Sequence, residues 1–221
     1  MKLGLFIATL LLASFAVGEV RVSTDFEGGS ARIESIDQAS HTIRFMPAGD
    51  PQRGWACWWY LRLDGIAKDE SWTLDLAASD KPTRNNGADT LSPLGADWAQ
   101  PERATFSHDG KTWLHTEPGK REGKRMIYSV MGTGGPLWVA WGAPFTPRDT
   151  EALLVAVTKT LPGAKVFELA KTREGRSVKG LHINESKSSK PLGVWVQARQ
   201  HAWESGGSWV SRGFTEWIAS D

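Results

Sequence analysis

The strongest constraint on the fold is an alternation of apolar and polar residues with period two, running from about Ala31 to Trp141. In "WACWWYLRL", Trp55, Cys57, Trp59, Leu61 and Leu63 fall on one face, and in "SWTLDLA" so do Trp72, Leu74 and Leu76. "ARIESI", "HTIRFM", "KTWLHT", "RMIYSV" and "LWVAW" repeat the pattern. Polar turn clusters such as "TRNNGADT", "SHDG" and "GKREGK" separate the runs. Successive side chains of a strand point to opposite faces, so such alternation describes strands buried on one side. Short strands at this spacing with no intervening helix predict an antiparallel β-sandwich over residues 19–145.

The pattern changes at "PFTPRDTEALLVAVTKTLPG". Thr146 can cap a helix, Pro147 suits its first position, and Asp149 suits its positive end. Leu153, Leu154 and Val157 form the apolar stripe, and Pro162-Gly163 ends it. The strands "KVFELA" and "RSVKGLHI" follow, then a polar loop and the apolar run "LGVWVQA", read as a strand buried on both faces. The last segment sets Val210, Phe214 and Ile218 in one column and Trp209, Gly213 and Trp217 beside it, which is helical spacing. Residues 146–221 thus read as the first part of an α/β domain.

The first eighteen residues, "MKLGLFIATLLLASFAVG", read as a secretory signal peptide. Lys2 precedes an apolar run, and small residues Ala16 and Gly18 stand at the cleavage spacing. The run falls short of the roughly 20 apolar residues a membrane span needs. Export to the periplasm or the outside, without stable membrane insertion, is the expectation. Removing the leader takes Lys2 from the 26 basic residues and leaves 25 against 25 acidic ones. A neutral balance gives no electrostatic reason to expect nucleic acid as a partner. The single Cys57 excludes an intrachain disulfide and reads as a small buried apolar group.

Chemistry is suggested near the end, where "RQHAWES" places His201 and Glu204 three apart. Both can reach one ion from a single tight turn, and zinc takes imidazole and carboxylate donors. The spacing is cheap, because "HINES" repeats it with His182 and Glu185. Position separates the two. Glu185 lies in a Ser/Lys-rich loop, whereas His201 follows the apolar run and precedes a helix, where ligand sites of α/β sheets collect.

With "TREGRSVKGLHI", a Lys-Pro loop, "LGVWVQARQHAWES" and a helix in that order, the chain resembles the start of the catalytic domain of zinc carboxypeptidases. In that family a Gly-Arg turn joins two strands, and the next strand delivers a His-x-x-Glu pair that supplies two of three zinc ligands. The Arg-x-His-x-x-Glu form of Arg199, His201 and Glu204 is most similar to the cytosolic-carboxypeptidase branch, whose members carry a β-sandwich before the catalytic domain. The resemblance implies zinc held by His201 and Glu204 and a peptide or protein substrate cut at its C-terminus. It also implies a third His ligand, an Asn-Arg pair for the substrate carboxylate and a general-base Glu, all expected beyond Asp221. No catalytic residue is assigned within the chain. Two other readings remain: a secreted Trp-rich β-sandwich that binds carbohydrate, and a zinc deacylase of related fold. Twelve Trp suit the first.

Overall fold

The computed structural model describes residues 18–85, 88–184, 187–190 and 192–220. The strands of its first part are β1 (Arg21–Ser23), β2 (Arg32–Asp37), β3 (Thr42–Met46), β4 (Tyr60–Asp64), β5 (Ser71–Ala77), β6 (Pro82–Asn85) and β7 (Ala88–Pro93). They continue with β8 (Thr105–Ser107), β9 (Leu114–His115), β10 (Lys120–Glu122), β11 (Arg125–Met131) and β12 (Leu137–Ala140). Two five-stranded sheets result, ordered β1-β4-β12-β8-β9 and β10-β11-β5-β3-β2, while β6 and β7 pair as a separate hairpin.

The alternation explains why the two sheets share one core. Leu61, Leu63, Leu137 and Val139 of the first sheet and Ile43, Phe45, Leu74 and Leu76 of the second are fully buried in a single cluster. Burying a side chain of this size contributes about 1.5–3 kcal/mol. Trp59 and Tyr128 add aromatic bulk and still satisfy their polar ends. The Trp59 indole N–H donates to Ala99 O at 2.8 Å, and the Tyr128 hydroxyl to Pro101 O at 2.5 Å.

Within the strand-rich part, two features depart from the sequence reading. The pairing is not antiparallel throughout, because β3 and β5 run parallel from Thr42↔Thr73 to Phe45↔Leu76. The intervening β4 belongs to the other sheet, so β5 returns beside β3 in the same direction. The second departure is that strand β4 begins only at Tyr60. Trp55 lies in a loop with a φ of 43°, in the left-handed region.

Helix α1 (Pro147–Thr160) forms where expected. The Thr146 N–H and hydroxyl both donate to Asp149 Oδ2, at 2.6 and 2.9 Å, and Leu154 and Val157 are buried. Strands β13 (Ala164–Lys171) and β14 (Ser177–Ile183) pair antiparallel, and Lys179 reaches Glu151 of α1 at 2.9 Å. Helix α2 (Ser205–Ile218) docks through Trp209, whose indole N–H donates to Ala143 O at 3.1 Å and whose ring meets Phe145 edge-on.

Residues 192–198 are not a strand, which corrects the reading of "LGVWVQA". Leu192 is 98% exposed and Val194 85%. A strand exists through its ladder of hydrogen bonds, and apolar composition alone cannot supply one. Among the described residues no strand pairs with this segment, since β14 is paired with β13 alone. No described helix is long and apolar enough to cross a membrane. Residues 1–17 of the expected leader lie outside the described residues.

Candidate metal-binding turn

His201 and Glu204 sit on a tight turn immediately before α2, not at the end of a buried strand. Glu204 folds back over the turn. Its Oε2 accepts the backbone N–H groups of Gln200 (2.8 Å) and His201 (2.9 Å), while its Oε1 lies 2.6 Å from His201 Nδ1. The contact with His201, followed by the two backbone N–H groups, lowers the Glu204 pKa from 4.5 to about 2. The carboxylate is therefore ionised wherever a metal could compete for it.

Arg199 anchors this turn to the rest of the molecule. Its guanidinium donates to the carbonyls of Phe145, Ala202 (2.8 Å) and His201 (3.3 Å). Burial pushes its pKa below the usual arginine value, and the Glu204 charge opposes that shift. Like Trp55, Arg199 has a left-handed backbone, with a φ of 61°.

Aromatic rings complete the surroundings, and their partners were not legible in the sequence. Trp203 lies nearly parallel to the His201 imidazole (centroids 5.0 Å apart, 9°) and to Trp55 (6.2 Å, 13°). Trp98 meets both Trp55 and Trp203 edge-on. The "HAWES" motif displays Trp203, yet nothing local reveals that Trp55 and Trp98 arrive from the strand-rich region.

A tetrahedral zinc site has donor–metal distances of about 2.0–2.2 Å, which separates its donors by about 3.3 Å. The His201 and Glu204 donors need to part by under about 1 Å to admit such an ion. An imidazole and a carboxylate also suit zinc chemically. The pair therefore fits two positions of a zinc site. Among the described residues, no group of three or more His, Cys, Asp or Glu side chains converges to hold an ion. His182 lies exposed on β14 opposite Lys165, and Glu185 lies outside the described residues.

This mostly β architecture is similar to that of metallo-carboxypeptidases. A metallo-carboxypeptidase from Burkholderia cenocepacia superposes with a TM-score of 0.74 at 27% identity, covering 91% of this chain and 49% of that one. A metallo-carboxypeptidase from Pseudomonas aeruginosa, solved in complex with (2-guanidinoethylmercapto)succinic acid, shares the fold. It has a TM-score of 0.71 at 18% identity, over 91% of this chain and 50% of that one. An uncharacterized protein of Zymomonas mobilis is 26% identical over 204 residues, which is 91% of this chain and 48% of that protein. Residues 150–221 match the family model of zinc carboxypeptidases, so that segment is similar to the family. The chain spans about half the length of the relatives it matches.

Proposed function

We infer that this chain forms the β-sandwich and the first part of the α/β domain of an exported, zinc-dependent carboxypeptidase-like hydrolase. Its substrates would be peptides or proteins cut at the C-terminus. The observation that carries the reading is the 2.6 Å approach of His201 Nδ1 to Glu204 Oε1 within the segment that matches the zinc carboxypeptidases. Bound zinc would supply Lewis acidity and lower the pKa of a coordinated water. The chain's own contribution is to hold the donors. Glu204 is kept ionised first by its contact with the His201 side chain and then by the backbone N–H groups it accepts, and Arg199 ties the turn's carbonyls to Phe145. The family match supports zinc as the ion, and the relatives' activity supports peptide over small-amide substrates.

A carbohydrate-binding module is not favoured. Trp59 and Trp72 are buried between the sheets, and Trp55 and Trp203 turn one face each toward the other. A sugar platform needs open ring faces. The test is calorimetric titration with zinc of the chain, His201→Ala and Glu204→Gln. Binding should be weak and should be lost in both variants. Zinc binding that survives both substitutions would overturn the assignment. Peptidase turnover by the 221-residue chain that His201→Ala abolishes would show that these residues suffice for catalysis.

A further inference from the structure

We propose that Trp203, held by Trp55, is a positioning residue for the His201 imidazole, which makes the strand-rich region a working part of the metal-binding turn. The proposal rests on the zinc reading above. The His201 imidazole and the Trp55 indole each lie nearly parallel to the Trp203 indole, with interplanar angles of 9° and 13°. A metal approaches an imidazole nitrogen in the ring plane, so whatever fixes that plane fixes the line of approach. On this turn the plane needs fixing, because the His201 side chain is 55% exposed. Glu204 Oε1 touches its Nδ1 but does not define the tilt of the ring; the face of Trp203 does.

The Trp55 contact is itself braced. Trp55 follows a closed turn in which Asp50 and Gly54 exchange backbone hydrogen bonds and Asp50 Oδ1 accepts the N–H groups of Gln52 (2.9 Å) and Arg53 (2.6 Å). Trp98 is fixed through its carbonyl, which accepts from Trp141 Nε1 and Cys57 Sγ, both at 2.9 Å. Among the described residues four that are not glycine have positive φ, and two of them, Trp55 and Arg199, lie at this site. A bulky residue in that region persists only where its surroundings impose it, and such residues gather at functional sites. With this left-handed backbone, the Trp55 indole lies nearly parallel to Trp203.

The experiment compares the chain with Trp203→Phe, Trp203→Ala, Trp55→Ala and the double alanine variant. Zinc affinity is measured by calorimetry, and the imidazole carbon-bound protons of His201 are followed by NMR without metal. Support of this kind around a metal ligand is typically worth about 10–100-fold in affinity. Trp203→Ala and Trp55→Ala should each weaken zinc binding by about tenfold or more. Trp203→Phe, which keeps a ring face, should stay within about threefold of the parent, and the double variant should lose little beyond either single one. Without metal, the upfield ring-current shift of the His201 protons should vanish in Trp203→Ala and diminish in Trp55→Ala. Unchanged affinity in Trp203→Ala, or failure of phenylalanine to restore it, overturns the proposal. If the parent chain binds no zinc through His201, the zinc reading fails. The NMR shifts then decide positioning alone, and shifts indifferent to Trp55 refute it.

Discussion

Replacing Arg199 with alanine tests how the turn is held. The guanidinium makes three hydrogen bonds to main-chain carbonyls, and these differ in worth. His201 and Ala202 are exposed, so water replaces the guanidinium there at small cost. Phe145 is buried, and its carbonyl loses a charged donor that water cannot easily replace. A hydrogen bond to a charged group contributes about 1.5–3 kcal/mol net, and the half-exposed position of Arg199 favours the lower part of that range. The expected loss is therefore about 2 kcal/mol, expressed as opening of the turn from the loop before α1. Each 1.4 kcal/mol is tenfold, so amide exchange at Gln200, His201 and Glu204 should accelerate about 30-fold. Hydrogen exchange read by mass spectrometry over residues 199–209 measures this, with the strands as internal reference. Lysine offers one point charge in place of a planar fork and should recover only part of the protection. Acceleration of less than about threefold, or full rescue by Arg199→Lys, would refute the reasoning.

Three other outcomes follow from local physics. Because the Glu204 pKa is lowered from 4.5 to about 2, its contribution to the turn is fully present above about pH 4.5 and lost as pH falls through 2. The Gln200 and His201 amide resonances should titrate near the lower value and stay flat in Glu204→Gln; an ordinary midpoint near 4.5 in the parent would contradict this. Cys57 is buried, and burial pushes its thiol up to about 12, so alkylation at pH 8 should require unfolding; prompt labelling of the native chain would be the contrary result. At Gly132 an added Cβ would lie 2.3 Å from both Ala67 O and Ile66 Cγ2, so Gly132→Ala should lower stability by about 2 kcal/mol in urea unfolding, and an unchanged midpoint would show that the strand ends yield.

Much of the strand-rich region was legible because alternation reports burial directly. Trp72, Leu74 and Leu76 share a face of β5 in the sequence and in the structure. The same rule overreached at Trp55, where apolar character continues beyond the strand into a left-handed loop residue. It failed at 192–198, since apolar composition cannot say whether a strand finds a neighbour. The nearness of His201 to Glu204 could be read from a three-residue spacing, because a turn is local. The contacts of Trp203 with Trp55, and of Arg199 with Phe145, join segments far apart in the chain and leave no periodic trace.

The parallel register of β3 and β5 governs the order in which the chain can acquire its structure. The connection between them is a crossover that carries β4 into the opposite sheet, so neither sheet can close from adjacent hairpins alone. β5 waits for β11 to cover its free edge, and β4 and β8 wait for β12 to come between them. A growing polypeptide therefore cannot complete the first sheet until Leu137–Ala140 has been made. Pairings this distant in sequence place folding in the millisecond-to-second range rather than the microsecond range of local structures. During that interval the apolar faces stay open, which leaves the nascent chain exposed to capture by chaperones.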